Sequence, residues 1–375
     1  MKTKVLLGVL LICTLFVNAQ ELALASLDKK SGYISKTGNW AIEAKFKEAK
    51  SFSGDLAEAM NDNKEWGFIN RKGEWVIQPQ FEKTKPFNSG YAIVYKDKTW
   101  FFINDKGEKA LTNVQTDKLY DFSEGMAIVR NGDKVGFINT NGETVVPTKF
   151  DKVFEYVNGY AKVQIDDKWG LIDKTGAYLV KPEYDGVSNY YNGHVVANKG
   201  DVYGLIINGD FKTLDGVEKI WDFSLNEDLT FAKKDDKVGF INGEGEWVIK
   251  PEYDKVRAFV NDLAPVYDGK NWGCINKSGE VVVPFEFDDM EIFSTDGLAP
   301  AKPKKEWGFI DKSGKLVIKD QYDISAFGMS MFQKNSVKGF VDGLARVKLK
   351  KKWGFIDKEG NVLNNSWYDN LELFN

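Results

Sequence analysis

The sequence predicts an all-β protein assembled from tandem units of about 34 residues, each a three-stranded antiparallel meander. Three observations carry that prediction. A Trp-Gly column returns along nearly the whole chain, with its glycine at positions 32, 67, 136, 170, 204, 239, 273, 308 and 354, Phe101 standing in once, and Val135, Tyr203 and Val238 among the residues that replace the tryptophan. Successive steps are 35, 34, 35, 34, 34, 35, 34 and 35 residues, then 46. Around each return lie two runs of strand composition, such as "WGFIN" and "EWVIQP", separated by a glycine turn.

The first 19 residues stand apart from this pattern. Lys2 and Lys4 precede an apolar stretch from Val5 to Val17, and Val17-Asn18-Ala19 offers modest side chains for cleavage. This is the layout of a secretory signal peptide, assigned to 1–19 and excluded from the fold. The apolar run is shorter than the roughly 20 residues a membrane span needs. A lipoprotein reading would acylate Cys13, but Ile12 occupies the place of the small residue expected there. Cleavage after Ala19 would move the formal charge from −4 to −6 and leave Cys274 as the lone cysteine, so no intrachain disulfide is expected. A mildly acidic surface of mixed sign gives no basic footprint for nucleic acid. The run Lys348, Lys350, Lys351 and Lys352 beside Trp353 reads as an exposed turn between strands.

Within the unit spanning 20–375, each column has a physical reading. Three residues after the glycine of the pair comes Asn or Asp (Asn70, Asn139, Asp173, Asp311), then a turn glycine (Gly73, Gly142, Gly176, Gly314). The polar side chain bonds the turn backbone and the glycine supplies a positive φ. The glycine after Trp removes a side chain so that a neighbouring repeat's backbone or a large ring can approach. Proline in segments such as "PQFE" and "PEYD" marks where pairing stops. Runs such as "GYAIV" and "GLAPV" begin the third strand. One such unit cannot bury its own aromatic face, so each copy is the next copy's apolar partner.

These residues resemble the WG-repeat family, and "KEWGFIDKSGKLVI" from Lys305 to Ile318 is close to a consensus copy. The resemblance covers about ten units over residues 30–375. It implies an extracytoplasmic or interaction scaffold and no defined catalytic residues. The chain departs from the pattern at Phe101, across Gly204 to Asp236 where Pro-x-Tyr-Asp is missing, and in an insertion at 327–338.

Two architectures accommodate such an array: an open β-solenoid or superhelix, and a closed β-propeller. The open array is the favoured expectation. Propeller blades have four strands, 34 residues suit three, and ten blades would make a large ring. Closure through the first and last strands is the alternative, since the chain opens with a partial unit and ends mid-unit at "WYDNLELFN".

Catalytic and metal-binding chemistry is not expected. His194 takes the place of Tyr91, Met126 and Leu298 in sister units and reads as a packed ring. Cys274 takes the place of Phe68 and Phe309 and reads as a small core residue. The acids recur in turn and strand-end columns (Asp173, Asp311, Asp185, Asp254), and the pairs Asp235-Asp236 and Asp288-Asp289 read as solvated turns rather than Ca²⁺ ligands. No phosphate-cradling glycine loop or cofactor motif is present. The expected function is an exported, non-catalytic scaffold for a protein partner of the cell envelope, in the periplasm or at the surface, with no integral membrane segment after cleavage. The alternative is a carbohydrate-binding module, using rings outside the core columns: Tyr191, Trp221 and Trp247. Trp75 and Trp40 share the column of Trp247, which favours a structural role for that ring.

Overall fold

The computed structural model describes residues 21–223, 228–324 and 338–375. The signal-peptide assignment lies outside these residues, as does the 327–338 insertion apart from Lys338.

The described residues form ten small antiparallel sheets, nine of four strands and one of three. The second blade shows the plan. An inner strand, Glu48–Ala49, is followed by Ala57–Met60, then Trp66–Ile69, then an outer strand, Trp75–Phe81. The expected three-stranded unit therefore gains a fourth strand. It is only two residues long and follows directly on the aromatic-acid segment, too short to carry a compositional signal.

The favoured open array is also corrected: the sheets close into a ten-bladed propeller. The C-terminal strand Asn370–Phe374 pairs antiparallel with Leu22–Leu27 and becomes the inner strand of the first blade. Leu22 and Asn375 exchange backbone hydrogen bonds of 3.1 Å in both directions. The packing agrees. Apolar clusters lie between successive blades, as Tyr33, Ile42 and Phe46 of the first blade meet Ala59 and Ile69 of the second. One further cluster joins the last blade to the first, uniting Trp353 and Phe355 with Ala23, Ala25 and Ile34. That last cluster would be missing from an open ribbon. Because the inner strands are so short, four strands fit a 34-residue repeat and the ring can be large.

The Trp-Gly glycine has a cause more specific than expected. In the second blade Trp66 pairs with Phe81 and Phe68 with Ile77, so Gln78-Pro79-Gln80 bulges opposite Gly67 alone. A Cβ on Gly67 would lie 2.5 Å from the Ile77 carbonyl oxygen and 2.8 Å from the Pro79 nitrogen. The approaching backbone belongs to the same blade, not to a neighbouring repeat. Proline accordingly sits in the bulge, where no donor is needed, and pairing resumes after it.

The turn reading holds in detail. Asn70 Oδ1 accepts from the Lys72 and Glu74 amides at 2.9 and 3.1 Å, and Gly73 has φ +75°. Gly73 also faces Ile42 of the preceding blade, whose Cγ2 would stand 2.5 Å from an added Cβ. The same contact closes the ring, because Gly38 of the first blade abuts Leu363 and Asn364 near the C-terminus.

Two departures from the repeat reshape their blades. In the third blade, Phe101 occupies the space over which the outer strand would bulge. The outer strand there shrinks to Lys109–Ala110, paired only with Phe102 and Ile103. In the sixth, the outer strand Asp210–Thr213 runs in regular register without a bulge.

Candidate functional site

The segments following the inner strands converge on one cavity. Its volume is about 760 Å³, and five consecutive blades, the fifth to the ninth, contribute its walls together with Lys338, just ahead of the tenth. Such convergence places the inner strands around the axis of the ring. Asn158, Tyr190, Trp221, Arg257 and Glu291 each represent one of these blades.

Aromatic groups make up one side. Trp221 leans on Phe231 with ring centroids 4.9 Å apart, and Lys219 Nζ lies 4.7 Å from the Trp221 ring. Tyr160 and Tyr190 pack at 4.5 Å across the fifth and sixth blades. The other side is charged and internally paired. Arg257 donates to Asp289 Oδ1 at 3.0 Å and to the Met290 carbonyl at 2.7 Å. Buried Glu291 receives Lys338 at 2.8 Å and lies 3.4 Å from Arg257.

Between the two sides stands Asp222, open to solvent yet crowded by protein. Burial raises its carboxyl above the usual carboxylate range, and the charge of Lys162 opposes that rise. Lys162, on the fifth blade, is lowered by its own burial, with Asp222 opposing. The two are electrostatically coupled without the close contact of an ion pair. A second recess of about 740 Å³ adjoins the first, sharing Trp221, Phe231, Val256 and Arg257 with it.

Of the three rings singled out in the sequence, the structure brings two together. Tyr191 and Trp221 both line the cavity. Trp247 packs instead into the core between the sixth and seventh blades. Trp40 and Trp75 make edge-on contacts with Tyr368 and Phe46 of the preceding blades, as their shared column implied. His194 stacks on Phe223 at 4.5 Å, and Cys274 is fully buried two blades away. Burial pushes the Cys274 thiol up to about 12.

The acid columns are structural latches. Asp185 takes Lys168 of its own blade at 2.5 Å and the Gly200 amide of the next at 2.6 Å. Asp173 and Asp311 accept from their turn backbones. Asp235-Asp236 forms a turn, whereas Asp289 lies in an inner strand rather than the expected turn. The lysine run is a turn, with Lys350 and Lys351 at positive φ. Among the described residues, no three His, Cys, Asp or Glu side chains are grouped to hold a metal ion, and no helix is long and apolar enough to cross a membrane. Sequence reasoning missed Asp222, Arg257 and Glu291, which become neighbours only when successive blades pack side by side.

The family model described as "WG containing repeat" matches residues 32–64, 66–100, 100–134, 136–169, 169–203, 239–272, 272–304, 307–324 and 332–353. The chain belongs to the WG-repeat family. The stretch left unmatched between 203 and 239 contains the sixth blade's unbulged outer strand. A search of curated proteins finds no match.

Among solved structures, this WG-repeat chain is similar to one described as a eukaryotic initiation factor. That match has 12% identity, covers 95% of this chain and 98% of the other, and has a TM-score of 0.49. BamB from Moraxella catarrhalis matches at 12% identity over 68% of this chain and 92% of its own, with a TM-score of 0.30. Hsv2p from Kluyveromyces lactis matches at 12% identity over 60% and 91%, with a TM-score of 0.31.

Proposed function

We propose that this WG-repeat propeller is an exported, non-catalytic scaffold that engages a protein partner of the cell envelope through the cavity on its axis. The observation that carries the reading is the composition of that cavity. Five blades line it, and the sixth and seventh supply aromatic faces next to a solvent-open carboxylate, Asp222, while the neighbouring charges Arg257, Asp289, Glu291 and Lys338 are already paired. A recess with an aromatic wall and an acid that makes no close ion pair suits a peptide carrying a basic side chain, which would find a counter-charge beside apolar rings. Export rests on the signal-peptide reading of 1–19.

Photocrosslinking tests this directly. A benzophenone amino acid replaces Tyr191 in one variant and the outer-strand residue Val76 in another, and both are expressed in native envelopes. The proposal expects a discrete adduct from position 191 only, lost when Trp221→Ala or Asp222→Asn is added. Adducts only from position 76, or none from 191, would refute it.

Carbohydrate binding is the second reading, favoured by Tyr191 and Trp221 sharing one wall. Retention on a glycan array that disappears with Trp221→Ala, without a protein adduct, would replace the first reading with this one.

A further inference from the structure

The residue before the Trp-Gly glycine is met by the outer strand or the segment in its place in every blade but the third. Its partners are Phe46, Phe81, Phe150, Tyr184, Tyr253, Phe287, Tyr322 and Tyr368 in eight blades. In the sixth, the Leu214 amide bonds the Tyr203 carbonyl at 3.0 Å. In the third blade the outer strand ends opposite Phe102, and Trp100 has no partner on that side among the described residues.

The eighth blade shows what is missing. There Lys255, Tyr267, Trp272 and Phe287 form a cross-strand ladder. The third blade repeats its first three rungs as Lys83, Tyr95 and Trp100. Lys255 Nζ lies 5.2 Å from the Tyr267 ring and Lys83 Nζ 5.7 Å from the Tyr95 ring. Tyr267 and Trp272 are tilted by 44° at 5.6 Å, and Tyr95 and Trp100 by 45° at 5.0 Å. Only the fourth rung differs. With Phe287 in place Trp272 is 7% exposed; without a counterpart Trp100 is 41% exposed.

We infer that the open edge at Trp100 is a strand-addition site for an extended acidic peptide of a partner protein that begins with an aromatic residue. The tenth blade supplies the geometry of the backbone contact. There Trp353 donates to the Tyr368 carbonyl at 2.9 Å and accepts from the Tyr368 amide at 2.8 Å. An incoming strand makes the same pair with Trp100, and its aromatic ring takes the vacant rung beside Tyr95. Phe101 bars the strand from continuing towards Phe102, so the aromatic residue stands at the start of the segment. The residues after it run past Thr99 and Lys98, with Lys96 paired to Thr99 on the neighbouring strand, where acidic side chains are favoured. The site is independent of the axial cavity, which the fifth to ninth blades line.

The probe is the chain's own fourth rung, an acetylated, fluorescently labelled peptide with the sequence of residues 287–292, FDDMEI. Fluorescence anisotropy against the full mature protein should show saturable binding. Binding should weaken about tenfold or more with Trp100→Ala, with alanine in place of the peptide's phenylalanine, and with an N-methylated phenylalanine that cannot donate to the Trp100 carbonyl. An unchanged melting temperature for Trp100→Ala would show that the exposed ring is not holding the blade together. Peptide binding indifferent to any of these changes would overturn the inference. So would a dimer in sedimentation that Trp100→Ala dissolves, which would assign the edge to a second copy. Quenching of Trp100 by an oligosaccharide with no peptide binding would assign it to a sugar.

Discussion

Substituting Gly67 by alanine isolates the reason for the Trp-Gly pair. The added methyl carbon would stand 2.5 Å from the Ile77 oxygen, 2.8 Å from the Pro79 nitrogen and 3.0 Å from the Gln78 carbonyl carbon, all backbone atoms, where ordinary contact begins at 3.4 Å. No rotamer change relieves such a clash, so the outer strand must move. Overpacking of this kind costs about 1–3 kcal/mol. If the strand lifts far enough to uncover Phe81, which is 2% exposed, a further ~1.5–3 kcal/mol of apolar burial is at risk. The third blade shows the endpoint, a shortened outer strand and an exposed tryptophan. Urea unfolding followed by tryptophan fluorescence should therefore place Gly67→Ala about 1–6 kcal/mol below the parent protein, the upper part of that range requiring the strand to lift. The control is Gly186→Ala, whose methyl would meet only the rotatable Asn198 amide at 2.6 Å and should cost less than about 0.5 kcal/mol. Equal midpoints for Gly67→Ala and the parent would refute the reasoning, because a clash with three backbone atoms cannot be free.

Deleting residues 370–375 should open the ring, seen as a larger radius of gyration in solution scattering and a lower melting temperature, since Leu371 is fully buried and Phe374 stacks on Phe355 at 4.7 Å. Glu58, 5% exposed, has its carboxyl raised by burial to about 7. The folded state then holds a proton that the unfolded state releases near pH 4.5, so its contribution to stability falls as pH rises from about 4.5 to 7. Glu58→Gln should flatten that slope and raise stability at pH 8 by about 1–3 kcal/mol, measured by urea titration at pH 5 and 8. The buried Cys274 thiol should resist a thiol reagent in the native chain starting at Gln20 and react fully in urea; native labelling at the unfolded rate would contradict its placement.

The repeat was legible because its columns answer to local rules. Asn70 and Gly73 close a turn within five residues, and Trp66, Phe68 and Ile77 alternate by strand period, so a single unit carries the signal for both. What escaped were features set by distant residues. Strands of two residues, such as Lys255–Val256, have no pattern to read and only become strands when Tyr267 lies beside them. Ring closure depends on Leu371 meeting Ala25, at opposite ends of the chain, and no local column encodes that pairing. The axial cavity escaped because it is shared between blades: Tyr191 and Trp221 drew notice by falling outside the core columns, but nothing local places Asp222 and Glu291 beside them. Phe101 was visible as a departure from the pattern. Its effect on Trp100 required the bulge geometry of the other blades.

The pairing of Leu22–Leu27 with Asn370–Phe374 also sets the order of events during synthesis. A chain emerging from its N-terminus can zip its first three strands at once, but one edge of that sheet stays bare until the final six residues arrive. Each later blade finds its neighbour ready; only the first must wait for the last. Until then the molecule is an unfinished necklace with an adhesive end, able to pair with another chain's strand instead of its own. The edge of Leu22–Leu27 is therefore the last in the ring to be covered.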